Sequence, residues 1–190
     1  MCYRCFKPEM TCVCAGLKPV ANRTGIIILQ HPRERFHALS TARLAARGLR
    51  RVELHVASGS WDRGLHRPVV LPSDTGLLYP APSAHDLATL PQRDRPAHLV
   101  VLDGTWSHTH RLYRDNPWLH AVPHFSITPD APSRYRLRRE PKTHFLSTIE
   151  SIVQALQILE PETPGFGRLI QAFDAMVTAQ ALYNPRRARS

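Results

Sequence analysis

The sequence predicts an α/β fold: a mainly parallel sheet with helices on both of its faces. Two patterns carry this. Short apolar runs such as GIIIL and LVVL recur along the chain, as strands covered on both sides do. The links between most of these runs have room for a helix, the connection that parallel neighbours need. With 43% hydrophobic residues over 190 positions, the chain suits one domain with a core and at most a small appendage.

The first element is not a strand. Every cysteine of the chain falls in its first fourteen residues, as Cys2-x2-Cys5 and Cys12-x-Cys14 separated by six residues. Four thiolates at this spacing can meet at one tetrahedral ion, and zinc is the metal that prefers a closed sulfur site. The segment is too short for a core of its own, so the metal would supply its stability. A redox pair at Cys2 and Cys5 is the rival, although such pairs normally follow a strand and open a helix. A site closed by four thiolates has no open coordination position. It is structural, and the chemistry must lie elsewhere.

Residues 25–29 (GIIIL) form the first predicted strand. Residues 40–47 (STARLAAR) read as a helix closed by Gly48 at C′. Further strands follow at 52–56, at 76–79 (GLLY), at 99–102 (LVVL) and at 122–127, with a helix start beside Trp106. Ser147-Thr148-Ile149-Glu150 fits a capping box. Behind it Ile149, Ile152, Val153, Leu156 and Leu159 make one apolar face, and Pro161 ends the run. A last helix over about 168–183 buries Leu169, Phe173, Met176 and either Ala179 or Gln180. Arg186, Arg187 and Arg189 close the sequence as a short basic tail over 186–190.

Charge narrows the partners. Lys plus Arg number 25 against 15 Asp plus Glu, for a net +10, and lysine occurs only at 7, 18 and 142. Arginine meets phosphate as a planar fork, so a polyanionic partner is expected; the plainer alternative is a well-solvated surface. No apolar run approaches membrane-spanning length and the first residues lack a signal-peptide core, so a cytoplasmic protein with no membrane contact is expected.

In an open parallel sheet, ligands sit beyond the carboxyl ends of strands. Gln30-His31-Pro32-Arg33-Glu34, Tyr79-Pro80 and Leu102-Asp103-Gly104-Thr105-Trp106 all lie there. In the last of these an acid leaves a buried strand, a glycine allows close approach, a hydroxyl follows, and a large flat ring stands at a helix start. The competing reading has Asp103 capping that helix and Trp106 in the core. Another competitor is a hydrolase metal site of Asp103 with His108 and His110. Rings two apart at a helix start diverge, however, and His120 and His124 have no matching register.

LDGTW resembles the D-x-T-W signature of the DTW-domain family, and three other pieces follow that family's order. They are the cysteine pattern, the segment from Gln30 to Glu34 with Thr41, and the pair formed by Tyr135 to Arg139 and Leu146 to Glu150. Ser40 stands where the family usually has Asn, and Ser151 where Ala is common. The matches span roughly residues 2 to 151.

The resemblance implies a tRNA-uridine aminocarboxypropyltransferase that moves the 3-amino-3-carboxypropyl group of S-adenosylmethionine to N3 of a tRNA uridine and releases methylthioadenosine. It also implies a SPOUT-like fold with a C-terminal trefoil knot. In these terms residues 1–20 form the zinc knuckle and 21–185 the catalytic domain. Asp103 takes the uracil proton or orients the base. Trp106 covers the S-methyl group and faces the sulfonium. Thr41, Tyr79, Pro80, Leu102, Gly104, Thr105, Ser147 and Thr148 join Trp106 around the cofactor. Glu150 either binds its amino group or only closes the capping box. Arg33 and the strip Arg136, Arg138, Arg139 and Lys142 suit tRNA phosphates, or else the strip is a solvated loop. The alternatives are a noncatalytic zinc-knuckle RNA-binding protein, which leaves Asp103 to Trp106 idle, and a methyltransferase acting on RNA with the same donor. Monomer and dimer are both open.

Overall fold

The computed structural model describes residues 1–37, 39–57, 69–134 and 146–183. Among these, six strands form one sheet: β1 (Gly25–Gln30), β2 (Val52–Val56), β3 (Thr75–Leu78), β4 (His85–Asp86), β5 (His98–Asp103) and β6 (His124–Ser126). Their order is β2-β1-β5-β3-β6-β4, and every pairing is parallel. Four α-helices join them: α1 (Ala42–Gly48), α2 (Trp106–Asp115), α3 (Thr148–Leu159) and α4 (Phe166–Tyr183).

The uninterrupted apolar pattern of β1 follows from its place. It pairs with β2 on one side and β5 on the other, and all six of its residues are buried. Successive side chains alternate between faces. Ile26 and Ile28 therefore enter the core beneath α1, α3 and α4, while Ile27 and Leu29 enter a second cluster with Leu112 of α2 and Leu119. Helices cover both faces, as the apolar runs predict.

Boundaries moved in a few places. The fifth predicted strand shortens to His124–Ser126, and β4 pairs only His85 with Phe125 and Asp86 with Ser126, too little to leave a pattern in sequence. Helix α1 starts at Ala42, with Thr41 as its N-cap, the carbonyl accepting from Ala45 N at 3.1 Å, and Ser40 before it. Gly48 is the last residue of α1 and not a left-handed C′ residue. Its reason is close packing, since a Cβ there would lie 2.2 Å from Leu169 Cδ2. Helix α4 begins at Phe166, and of the two candidates near its end Gln180 is the buried one.

The cysteine segment packs on this body. Gln180 Nε2 donates to Thr11 Oγ1 at 2.9 Å, and Val13 and Leu17 lie against the main core. Lys7, only 1% exposed, donates from Nζ to the Ser40 carbonyl at 3.0 Å. Glu160, at the end of α3, accepts from the backbone N–H groups of Arg23 and Thr24 and so fixes the entry to β1. No described helix is long and apolar enough to cross a membrane.

Candidate active site

The carboxyl ends of β5, β3 and β6 face the start of α3 across an open cleft. Thr41, Tyr79, Pro80, Leu102, Asp103, Gly104, Trp106, Ser147 and Thr148 line it, so most of the side chains expected around a cofactor converge. Thr105 and Glu150 are not in the lining. Thr105 caps α2, its hydroxyl accepting from His108 N at 3.2 Å, which is the role the competing reading gave to Asp103.

Asp103 does not cap that helix. It is 4% exposed, and a buried carboxylate needs strong partners. Thr148 Oγ1 donates to Oδ1 at 2.6 Å and Gln30 Nε2 donates to Oδ2 at 2.8 Å, so both oxygens are held from opposite walls. Gln30 can reach because it is the register partner of Asp103 on the adjacent strand. Its amide nitrogen also donates to Ser40 Oγ at 3.1 Å, while its own Oε1 has no partner. Beneath this network lies Lys7. Burial lowers its ammonium pKa to about 8, against the opposing pull of Cys5, Cys14, Asp103 and Cys12.

Trp106 is not core. It is 42% exposed, and its ring lies parallel to Tyr79 at 4° with centroids 6.3 Å apart. Tyr79 in turn stacks on Tyr113 at 4.4 Å, and burial followed by the Tyr113 charge raises the Tyr79 phenol. Gly104 has a packing reason beside any ligand reason, for a Cβ there would meet His108 Cβ at 2.7 Å. His108 stacks flat on buried His31 with centroids 3.9 Å apart, and its Nδ1 lies 3.2 Å from Glu34 Oε1. Burial, then the neighbouring His108, lowers the His31 pKa to about 4, so the ring is neutral at physiological pH.

Glu150 is fully engaged at the start of α3. It accepts from Ser147 N at 2.8 Å and Ser147 Oγ at 2.6 Å, closing the capping box. It also accepts from Ser133 Oγ and Arg134 N, each at 2.7 Å, and so clasps the incoming loop. Arg33 is exposed and outside the cleft lining. Arg136, Arg138, Arg139 and Lys142 lie outside the described residues, as does the basic tail.

The ligand atoms of Cys2, Cys5, Cys12 and Cys14 all fall within 4.8 Å of one another, and Cys5 Sγ stands 3.7 Å from Cys12 Sγ. Zinc–sulfur bonds of about 2.3 Å place tetrahedral sulfurs about 3.8 Å apart, so the donor set fits that ion. Backbone N–H groups of Cys5 and Arg4 lower the Cys2 thiol to about 6, while burial raises Cys5. Among the described residues no other group of three or more His, Cys, Asp or Glu side chains could hold a metal, and the histidines near Asp103 form no such cluster.

Sequence reasoning missed Lys7, the side-chain roles of Gln30 and Ser40, and the His31–Glu34–His108 group. A signal existed for two of them. Gln30 is a polar residue at the end of an all-apolar strand, and Lys7 is one of three lysines and sits between the cysteine pairs.

Known proteins resemble this chain in sequence. A protein of Drosophila melanogaster named tRNA-uridine aminocarboxypropyltransferase 2 is 32% identical over 171 residues, 84% of this chain and 66% of that protein. The Mus musculus protein of the same name is 29% identical over 187 residues, 94% of this chain and 63% of its own length. A tRNA-uridine aminocarboxypropyltransferase A of Arabidopsis thaliana is 25% identical over 219 residues, 96% of this chain and 81% of its own. The chain thus spans just under two thirds of the length of the animal relatives it matches. No solved structure matches it with significance. The profile described as DTW domain matches residues 1–181, from the cysteine segment through the anchored Asp103 to all but the last two residues of α4: the chain belongs to the DTW domain family.

Proposed function

We propose that the protein transfers the 3-amino-3-carboxypropyl group of S-adenosylmethionine to N3 of a uridine in tRNA, with methylthioadenosine as the second product. The observation that carries this is Asp103, a buried carboxylate with both oxygens fixed, at the wall of an open cleft. The names of the relatives support it.

The reaction forms an N3–carbon bond and breaks a carbon–sulfur bond. The N3 proton leaves, and the sulfur keeps the bonding pair and becomes a neutral thioether. The donor supplies the sulfonium that makes the carbon electrophilic. A carboxylate with an ordinary pKa near about 4 is a weak base toward a uracil imide. Asp103 therefore acts first by orientation, accepting a hydrogen bond from N3–H, and the proton passes to it or to a water as the N3–carbon bond forms; its negative charge also favours the approach of a cation. Gln30 and Thr148 set the carboxylate plane before substrate arrives, which keeps reorganisation out of the reaction step.

A sulfonium has three carbons open to attack, and the one that faces the nucleophile reacts. Trp106 supplies a flat wall that covers the methyl group and meets the cation with its π face. Tyr79 and Pro80 hold the nucleoside end. The first turn of α3, beside Ser147 and Thr148, suits the amino-acid carboxylate through the positive end of its helix dipole.

Zinc held by Cys2, Cys5, Cys12 and Cys14 has a structural part, fixing the segment that delivers Lys7 beneath the carboxylate. The reading further includes a SPOUT-like relationship with a C-terminal knot, a division into knuckle, catalytic body and basic tail, and a cytoplasmic setting. Arg33 with the strip Arg136, Arg138, Arg139 and Lys142 meets tRNA phosphates.

Nucleoside mass spectrometry of tRNA incubated with the protein and S-adenosylmethionine tests the reading. A uridine heavier by one aminocarboxypropyl group, formed together with methylthioadenosine, is expected. Unmodified tRNA, or a methylated base, overturns it.

A further inference from the structure

Phe36 is a large apolar side chain left 65% exposed, in the turn between β1 and α1. It does not stand alone. Its ring tilts against Phe6 of the cysteine segment with centroids 5.1 Å apart. The Arg35 guanidinium lies 5.0 Å from the Phe36 centroid, and the Arg43 guanidinium lies 4.2 Å from that of Phe6. Arg43 Nε donates to the Arg35 carbonyl at 3.1 Å, which holds the two arginines side by side. Two aromatic faces are thus interleaved with two cations, and exposed Arg33 stands in the same turn.

Two physical points identify what this surface takes. Burial, and then the like charge of Arg35, lower the pKa of Arg43, while Asp103 and Cys5 pull it the other way; the two guanidiniums beside one another suit an anion. A phosphate can bond a guanidinium bidentately, and a flat base can lie on an aromatic face. Single-stranded RNA offers both groups in alternation, whereas a duplex hides its bases. An acidic protein would answer the charge and leave the exposed ring without a reason.

Position fixes which nucleotide is meant. The turn that carries Phe36 runs on through Ser40, whose hydroxyl bonds Gln30 beside Asp103, into Thr41, which lines the cleft. Arg43 is close enough to Asp103 to feel its charge. We propose that Phe36 is a stacking platform for an unpaired base next to the target uridine, with Arg35 and Arg43 meeting the phosphates of that strand. This rests on the reading that the acceptor is RNA.

The test uses the full chain with two probes: an unmodified tRNA transcript, and a short oligouridylate carrying one 2-aminopurine. Phe36→Ala should weaken binding of both by about 5- to 160-fold, the range of one lost base–aromatic stack, and abolish quenching of the 2-aminopurine. Phe36→Tyr should restore both signals. Arg35→Gln should reduce the slope of log affinity against log salt by about one. Affinity for S-adenosylmethionine should not change, and in turnover the loss should fall on KM for tRNA more than on kcat. If the wild type modifies tRNA and Phe36→Ala matches it in affinity, quenching and KM, this inference falls and the functional reading stands. If the wild type binds neither RNA, or prefers an acidic protein to both, the nucleic-acid reading falls with it.

Discussion

The Thr148 hydroxyl donates to Asp103 Oδ1 at 2.6 Å, which ties the first residue of α3 to the last residue of β5. A hydrogen bond to a charged group contributes about 1.5–3 kcal/mol. Thr148→Val keeps the shape and removes this donor, so kcat should fall roughly ten- to a hundredfold, by the same conversion. Thr148→Ser should recover most of the rate. Steady-state kinetics in which the Val variant kept the wild-type kcat would remove Thr148 from the site.

Asp103→Asn tests the carboxylate itself. Turnover should fall by on the order of 10²-fold or more, while calorimetry still shows S-adenosylmethionine binding. The substitution sets an amide opposite the Gln30 amide. Because Gln30 Oε1 has no partner, rotating the Gln30 amide by half a turn offers that oxygen to the new NH2 group, and the variant should fold. Modification at wild-type speed would end the catalytic role of Asp103.

Trp106→Ala opens the wall opposite Tyr79. Donor affinity and rate should drop together, and mass spectrometry should detect a trace of methylated uridine beside the main product. Unchanged affinity with a single product would deny Trp106 a steering role.

The segments that carry the site could be read from sequence because each had a local cause. An acid after four apolar residues marks a strand end, and Ser147 with Glu150 marks a helix start. What could not be read was which segments touch. The hold of Gln30 on Asp103 depends on β1 and β5 being neighbours, a sheet order that no local pattern encodes. Lys7 shows the same limit from the other side. Its place between the cysteine pairs was visible, but only docking of the cysteine segment against the Ser40 carbonyl buries it. The capping box at Glu150 was legible, but its grip on Ser133 and Arg134 was not, because those donors come from a loop with no pattern of its own.

Metal analysis of freshly purified protein should find close to one zinc per chain. Cys5→Ser removes the most buried of the four thiols and should lower the thermal midpoint by several degrees, with chelators producing a similar loss in the wild type. A chain that carries less than about half an equivalent, or melts identically with and without chelator, does not use a four-thiolate site.

His31 makes stability depend on pH. Its folded pKa is about 4 against an ordinary 6.5, so between these values the unfolded chain takes up a proton that the folded one refuses. Stability from this group is complete above about 6.5, falls as pH drops toward 4 and levels off below. His31→Asn keeps an acceptor for Arg33 N and removes the titration. Denaturation midpoints for wild type and variant should therefore converge as pH falls from 7 to 4.5. Parallel curves would show that the imidazole takes no part.

The Thr11–Gln180 hydrogen bond joins residues 169 positions apart. During synthesis the cysteine segment is made well before α4, which carries its docking surface. At about 5–20 residues per second the wait is roughly ten to thirty seconds. For that interval the thiols of the nascent chain are outside their final packing, and an early metal ion is the partner that can hold them together until α4 arrives. On the reading that these four thiolates hold zinc, chelation during synthesis should cost more folded protein than the same chelation applied after folding.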